Sequence, residues 1–363
     1  MAERVFVHIG APKSGTSYLQ DRVARNREIF AEHGLSYPVS RPDGHFRPAL
    51  DLIQRPWSGE LKKAHGAWDH LAATVRGTGR DVLISHEILA AASSEQVARA
   101  LASLGDAEVH IVLTARDFGR QFPAEWQENV KHRGTGSFEK FAGRAMAAPR
   151  YGSDLWFWQV QSLPDVLGRW SNGLLPSQVH VVTVPPSGAP PELLWERFLS
   201  VFGIDPDPRF AAAEVDNASL GVAEIMVLRR LNRALRRAKV SRRTYVPMVR
   251  ELIVREVFAA PGGSPTPILP GRFHEFADEV AEEWVEWLAG SGVDVVGDLE
   301  DLRPVWPDSV DEPRDGRDID RPRRADVADA AIDALAAVLI EWDRNQAGRS
   351  RSAVRRLRRW NSS

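Results

Sequence analysis

The most informative absence in this sequence is cysteine. With no cysteine among its 363 residues, the chain can form no disulfide, use no thiolate nucleophile and offer no cysteine ligand to a metal. A strong charge imbalance is also missing, because the formal net charge is −2 at pH 7. A nearly neutral chain has no global field that would favour nucleic acid. We therefore expect neither cysteine chemistry nor a nucleic-acid partner.

Long apolar runs are missing as well. No run approaches the ~20 residues that a membrane-spanning helix needs. The first residues, MAERVFVHIG, lead directly into an apolar strand pattern without a visible signal peptide. These features predict a cytoplasmic protein with no transmembrane segment. The apolar and charged contents of 43% and 26% are typical of a globular protein.

The chain is organised around residues 5–20, VFVHIGAPKSGTSYLQ. An apolar, β-branched run ends at Gly10 and predicts a buried strand, and a helical pattern follows the turn. Strand, glycine-containing turn and helix together aim backbone N–H groups and a helix dipole at an anion. The turn also carries polar side chains, namely the cation Lys13 and the hydroxyls of Ser14, Thr16 and Ser17. The sequence therefore predicts a phosphate-like group at the end of the first strand.

This turn is not a Walker A loop. That motif places its lysine directly after the second glycine, whereas Lys13 comes two residues before Gly15. The order P-K-S-G-T-S resembles instead the phosphosulfate loop of sulfotransferases that use 3′-phosphoadenosine 5′-phosphosulfate (PAPS), commonly written P-K-[ST]-G-T-[TS]. The alternative is an ordinary lysine in a βα loop. The resemblance implies that the cofactor is bound by Pro12, Lys13, Ser14, Gly15, Thr16 and Ser17.

Four apolar strand patterns alternate with helical patterns along the chain. The predicted strands are residues 5–9, 82–84, 107–115 and 178–184. This alternation predicts an α/β fold, a P-loop-like parallel sheet flanked by helices on both faces, with a mainly helical C-terminal extension. Such sheets bind ligands beyond the carboxyl ends of their strands, here the loops after Ile9, Ile84 and Ala115. We expect a sulfotransferase-like domain over 1–300, with the resemblance clearest over 4–235. A linker, a helix and a basic tail are expected over 301–363.

A candidate base follows the second of these strands, in Ser85-His86-Glu87. A neutral imidazole with a pKa near ~6.5 acts as a base at neutral pH. In the family that the loop resembles, a histidine at a comparable strand end removes the acceptor's proton. Some carbohydrate sulfotransferases use a glutamate, which makes Glu87 the competing base or the residue that orients His86. A histidine hydrogen-bonded in a turn is the alternative.

Arg116 follows the third strand and resembles the 3′-phosphate site of the same family. There, an arginine is followed eight residues later by a serine, but this chain has Ala124 at that position. The planar fork of an arginine donates two hydrogen bonds to one phosphate. The resemblance implies that Arg116 holds the 3′-phosphate, while the missing serine leaves this half of the site incomplete. Further candidates are Arg120, Gln121 and Gln127. The alternative is an arginine paired with a carboxylate.

Taken together, these motifs predict a sulfotransferase of the kind seen in bacterial, actinobacterial-type family members. It moves a sulfuryl group from PAPS, leaving PAP, to a hydroxyl or amine of a carbohydrate, glycolipid or small-molecule acceptor by in-line displacement. His45 and Arg47 are the predicted acceptor contacts, and no metal is expected. The alternatives are a P-loop-type kinase and a catalytically silent nucleotide-binding or scaffold protein that keeps the fold. The basic tail 349–359 predicts, at most, a weak contact with a membrane surface.

The chain is rich in tryptophan, with 12 of them. Several cluster in the middle of the chain: Trp126, Trp156, Trp158 and Trp170. We expect most of them in the core. The alternative, for a minority of them, is a place in the lining of a pocket that stacks on a sugar or an aromatic acceptor.

Overall fold

The computed structural model describes residues 2–39, 44–57, 59–214, 219–260, 262–306 and 318–360, the last of these ranges by its backbone only from 347. In this part of the chain, six strands form one parallel sheet. They are β1 (Arg4–His8), β2 (Leu35–Ser36), β3 (Asp81–Ser85), β4 (Glu108–Ala115), β5 (Val179–Thr183) and β6 (Asp294–Val296). The helices are α1 (Thr16–Arg25), α2 (Arg27–Glu32), α3 (Phe46–Ile53), α4 (Leu61–Ala64), α5 (Ala67–Arg76), α6 (Ser94–Ser103), α7 (Phe118–Lys131), α8 (Phe138–Ala147), α9 (Trp156–Gln161), α10 (Leu163–Trp170), α11 (Leu193–Ser200), α12 (Val222–Arg237), α13 (Arg242–Tyr245), α14 (His274–Ser291) and α15 (Arg324–Trp360).

The strands lie in the order β2-β3-β1-β4-β5-β6, and every pair is parallel. The predicted α/β class and the helical C-terminal part are thus confirmed. The central strands are buried along almost their whole length, as expected when a parallel sheet is covered on both faces. Their continuous Val, Ile and Leu runs supply that burial.

Strand β1 marks the switch point of the sheet. The chain leaves β1 towards β2 and β3 on one side, and then crosses to β4 on the other. His8, at the end of β1, is paired with Ser85 of β3 and Val112 of β4. The carboxyl ends of these three strands are therefore neighbours at the place where such folds bind ligands.

Helix α6 illustrates how local sequence sets an element. Ser93 accepts a hydrogen bond from the backbone of Gln96, and the Gln96 side chain accepts one from the Ser93 backbone. The sequence of residues 93–103 predicts a helix opened by Ser93 or Ser94, with Glu95 nearby as a capping partner. The structure confirms the cap at Ser93, and its reciprocal partner is Gln96.

Several predicted boundaries were wrong. The apolar spacing of residues 60–78 predicts one helix, but the chain forms two, α4 and α5, because Gly66 adopts a left-handed φ of 75° that interrupts the helix. The pattern of residues 325–343 predicts a helix, which in the structure extends as α15 to Trp360. The low apolar content of residues 302–325 predicts a linker, of which residues 307–317 lie outside the described residues.

The sequence of residues 34–38 predicts a brief strand, which is β2, but it predicts neither β6 nor a π-helix. Strand β6 pairs with β5 through Asp294, Val295 and Val296, and three residues are too few to give a periodic signal. A π-helix covers Val246–Phe258. Its i→i+5 hydrogen bonds have no distinct residue pattern.

The chain divides into two compact units. The first contains Met1–Glu125, Ala142–Asn217 and Arg272–Asp308, and so includes the sheet; the second contains Trp126–Phe141, Ala218–Gly271 and Ser309–Ser363. The predicted division at residue 300 stays a prediction. Among the described residues, no helix is both long and apolar enough to cross a membrane.

Aromatic side chains fill the core of the first unit. Phe6 of β1 packs with Phe198 and Phe202, while Phe30 of α2 packs edge-on against Trp195 at 5.8 Å. Burying one such side chain stabilises the fold by about 1.5–3 kcal/mol. Most of the clustered tryptophans are core residues as expected, since Trp158 and Trp170 in this unit and Trp126 in the second unit are at most 1% exposed. Trp156, by contrast, is partly exposed.

The second unit is built from helices around a buried arginine. Arg229 of α12 donates to a carboxylate oxygen of Asp320 at 2.7 Å, and the same carboxylate accepts from the Phe138 backbone. Asn232 donates to the Val130 carbonyl at 2.8 Å and accepts from the Tyr245 hydroxyl. The basic residues of 226–243 predict a solvated helix face, but Arg229, one of them, lies in the interior.

Candidate active site

The loop after β1 ends at an uncapped helix. Gly15 precedes α1 with a left-handed φ of 85°, and its position supplies no side-chain hydrogen bond to the first turn. The first N–H groups of a helix have no partner within the helix. Thr16 and Ser17 form that first turn. The local geometry therefore presents backbone donors and the positive end of a helix dipole, as anion sites do.

The loop backbone is unusual at two positions. Lys13 has a left-handed φ of 66°, which costs a residue with a β-carbon about 1–2 kcal/mol. Gly10 has a φ of 106°, and a β-carbon there would lie 3.0 Å from the Cα of Glu87. Glycine therefore lets the loop approach Glu87 closely. Strain of the kind seen at Lys13 concentrates at functional sites.

Buried side chains hold the loop in this shape. The Ser14 hydroxyl donates to the Ala11 carbonyl at 2.5 Å and lies 2.5 Å from the Thr114 hydroxyl. Gln121 and Gln161 both donate to the Pro12 carbonyl. Ser14 is fully buried, so its side chain supports the loop from inside. Thr16 is also buried, whereas Lys13 and Ser17 are partly exposed.

Arg116 lies directly beside this loop. Its Nη1 donates to the Lys13 carbonyl at 3.3 Å. Within the described part of the chain, its buried Nε has no hydrogen-bond partner. Burial, together with the nearby Arg120, lowers the pKa of Arg116 to about 10, against the opposing effect of Asp117. The guanidinium therefore stays charged at neutral pH and retains an unused donor.

The other predicted partners of a 3′-phosphate differ in their availability. Arg120 is committed to Asp117 and the Pro185 carbonyl, and the Gln121 amide group is bonded to Pro12 and Gln161. Gln127 belongs to the second unit, where it accepts a hydrogen bond from Ser219. Ala124 lies in α7 and has no side-chain donor. Arg116 is therefore the best-placed of these groups beside the loop.

The predicted bases follow β3 directly. The His86 backbone N–H donates to the His8 carbonyl at 3.0 Å, and a 3₁₀ turn begins at Glu87. The Nδ1 atom of His86 accepts a hydrogen bond from the Ile88 backbone at 3.2 Å. The Nδ1 lone pair of His86 is therefore engaged by the backbone.

Glu87 has the opposite character. Its Oε2 accepts from Gln20 at 3.1 Å and lies 3.8 Å from the His86 Nδ1. Burial opposes ionisation of this carboxyl, but the nearby His86, the Glu87 backbone N–H and Gln20 outweigh it and lower the pKa of Glu87. Glu87 is therefore a carboxylate at neutral pH. Its side chain is 26% exposed.

Sequence reasoning missed a network of buried, hydrogen-bonded polar side chains beneath these groups. His8 Nδ1 lies 2.8 Å from the Ser85 hydroxyl, and His8 Nε2 lies 3.4 Å from the Thr114 hydroxyl. Thr114 in turn contacts Ser14 and donates to the Gly10 carbonyl at 3.2 Å. Burial lowers the pKa of His8 to about 4, so the ring is neutral. The available signal was a polar residue near the end of each of three apolar strands.

The two predicted acceptor contacts lie at the start of α3. His45 is 2% exposed, its Nδ1 accepts from the Ser85 backbone at 3.1 Å, and its Nε2 lies 3.3 Å from the Pro38 carbonyl. Burial and the neighbouring His86 lower the pKa of His45 to about 4. His45 therefore orients the end of β3. Arg47 is partly exposed in the first turn of α3, and its contact with an acceptor stays a prediction.

The fold thus brings together groups from three strand ends. The residues that share this edge of the sheet are Lys13, His86, Glu87 and Arg116, supported by His8, Ser85 and Thr114. Within the described ranges, no three histidine, aspartate or glutamate side chains are grouped so that they could hold a metal ion. Comparisons of the chain with protein-family models, with curated proteins and with solved structures found no match.

Proposed function

We propose that this protein is a PAPS-dependent sulfotransferase that acts on a hydroxyl or amine of a small-molecule, carbohydrate or glycolipid acceptor. One observation carries the proposal. The P-K-S-G-T-S loop lies at the switch point of the sheet, next to an uncapped helix and to Arg116, whose buried Nε has no partner among the described residues. A doubly anionic ligand would meet the helix N-terminus at one end and this guanidinium at the other.

The reaction is an in-line displacement at sulfur. PAPS supplies a sulfuryl group bonded to a phosphate oxygen; the acceptor oxygen forms the new S–O bond while the old one breaks towards that phosphate. Lys13 and the N–H groups of the α1 turn stabilise the charge that develops on the departing oxygen, as preorganised donors do in other enzymes. The acceptor's proton moves to a base of the protein.

Between the two candidate bases, the geometry favours Glu87. The Nδ1 lone pair of His86 is already engaged by the Ile88 backbone N–H, so this nitrogen is poorly placed to take the acceptor's proton. Glu87 is ionised and partly exposed. An anion bound at the adjacent loop raises the pKa of a neighbouring carboxylate, which makes Glu87 a stronger base once the donor is in place.

The cellular setting belongs to the same proposal. We propose a cytoplasmic enzyme. Arg116 is the proposed contact for the 3′-phosphate. The alanine at position 124 makes this contact depend more strongly on a single arginine than in the family that the loop resembles.

Calorimetric titration with PAP and with ATP tests the nucleotide assignment. We expect PAP to bind to the unmodified protein and binding to weaken strongly in Lys13→Ala. Binding of ATP without PAP would overturn the proposal in favour of a kinase. PAP binding without transfer of label from PAPS to a broad pool of acceptors would favour the catalytically silent alternative.

A further inference from the structure

Four polar side chains form a row across the amino-terminal ends of the strands, away from the proposed active site at their carboxyl ends. The His110 Nδ1 lies 2.9 Å from the His180 Nε2, and the His180 Nδ1 lies 2.7 Å from a carboxylate oxygen of Asp294. On the other side, the His110 Nε2 lies 3.3 Å from a carboxylate oxygen of Glu108. We call these four residues the histidine chain. It joins strands β4, β5 and β6.

The two imidazole rings of the histidine chain meet edge to edge. Their planes are nearly parallel, at 13°, and their centroids are 5.2 Å apart. A nitrogen–nitrogen distance of 2.9 Å is shorter than the contact distance of rings stacked face to face, but it fits an N–H···N hydrogen bond. His110 and His180 are buried, whereas the side chains of Glu108 and Asp294 are 57% and 50% exposed. A buried imidazole pair therefore lies between two solvated carboxylates.

The histidine chain is one proton short while both rings are neutral. Its four groups make three contacts, and each contact needs one N–H, because an ionised carboxylate only accepts hydrogen bonds. Two neutral imidazoles supply two N–H groups, one from each ring. One of the three contacts therefore lacks a hydrogen, whichever tautomers the two rings adopt.

The contact that lacks a hydrogen is the one with Glu108. It is the longest of the three, and within the described ranges the buried His110 Nε2 has no hydrogen-bond partner. Burial and the neighbouring His180 lower the pKa of His110, against the opposing effect of Glu108. Arg4 of β1 lowers it further, and Arg4 is itself bound to Asp81 of β3. His110 is therefore neutral at neutral pH.

We propose that the histidine chain is a binding site for one proton, which it takes up as the pH falls below neutral, and that this proton weakens the β4–β5–β6 side of the sheet. The proton completes the third hydrogen bond, but it also places a positive charge in the buried pair. Because the folded protein binds this proton less readily than the unfolded chain does, the contribution of His110 to stability is complete above its ordinary pKa of 6.5 and is lost as the pH falls below that value.

Nitrogen NMR of the full chain, with isotope-labelled histidine side chains, tests the proton site directly. At neutral pH, the His110–His180 pair should show two N–H nitrogens, and a third should appear as the pH falls, with a midpoint below 6.5. Glutamine variants at each histidine assign the signals. Three N–H nitrogens already present at pH 8, or two still present at pH 4, would overturn the proposal.

Glu108→Gln tests whether the carboxylate belongs to the chain. Its side chain is largely exposed, so the variant should fold, and the loss of the charge should lower the proton affinity of the pair about two- to fivefold. Glu128→Gln is the matched control, because Glu128 contacts another histidine, His132, at 3.0 Å in the second unit. It should leave the His110 signals unchanged. An unchanged midpoint in Glu108→Gln would remove Glu108 from the site.

Urea unfolding at pH 7.5 and 5.5 tests the effect of the proton on the fold. The unmodified protein should lose more stability between these two pH values than His110→Gln, whose side chain does not titrate. His110→Phe, which keeps a ring beside Phe6, guards against a packing defect in the glutamine variant and should also lose less stability. An equal loss in all three proteins would overturn the link between the proton and the stability of the sheet.

Discussion

Replacing Lys13 by glycine and by alanine separates the strain of the loop from its charge. Both changes remove the ammonium group, but only glycine removes the β-carbon from a residue with a φ of 66°. We expect Lys13→Gly to be the more stable of the two variants. Both variants should lose affinity for PAP.

The magnitudes follow from the geometry. Relief of the left-handed conformation contributes about 1–2 kcal/mol, and the greater freedom of glycine in the unfolded chain costs about 0.4–1 kcal/mol. Lys13→Gly should therefore exceed Lys13→Ala by about 0.5–1 kcal/mol in the free energy of unfolding. A hydrogen bond to a charged group contributes about 1.5–3 kcal/mol, so PAP affinity should fall roughly 10- to 150-fold in both variants.

Urea unfolding measures the stability difference, and calorimetric titration with PAP measures the affinity. Lys239→Gly is the control, since Lys239 also has a positive φ, of 52°, but lies after α12 in the second unit. It should keep the unmodified affinity for PAP. Equal stability of the two Lys13 variants would refute the strain argument, and unchanged PAP affinity would remove Lys13 from the anion site.

Three further changes test the remaining groups. Arg116→Lys should weaken PAP about tenfold because an ammonium cannot reproduce the two-pronged contact; equal titration curves would contradict the 3′-phosphate contact. Glu87→Gln should keep PAP binding and lower the rate of labelled sulfate transfer at least about 100-fold, and if His86→Ala alone lost transfer, His86 would be the base. His8→Asn should flatten the acid dependence of stability. Because burial depresses the pKa of His8 from 6.5 to about 4, its contribution is complete above pH 6.5 and is lost as the pH falls towards 4, by up to about 3 kcal/mol. If urea unfolding gave the same change in the free energy of unfolding between pH 7 and 5 for the unmodified protein and for His8→Asn, this prediction would be contradicted.

The capping box of α6 and the central strands are the features that sequence predicted most directly. Each depends on residues within a few positions of one another, such as Ser93 and Gln96. The placement of Lys13, His86 and Arg116 at one edge also followed, because parallel strands put their carboxyl ends together. Strand β6 lacked such a local signal and became visible only through its pairing with β5.

The sequence by itself determined the anion-binding character of the P-K-S-G-T-S turn, since strand, glycine and helix are neighbours in the chain. Tertiary structure decided what surrounds that turn. His8 meets Ser85 across 77 positions and Thr114 across 106, and the ring of Trp57 contacts both Phe46 of α3 and Trp156 of α9. Such contacts depend on strand register and on helix packing, which place residues far apart in the chain side by side. Tertiary contacts also explain three features of the site. The Ile88 backbone engages the Nδ1 lone pair of His86, Gly10 approaches Glu87 closely, and the buried Nε of Arg116 keeps an unused donor.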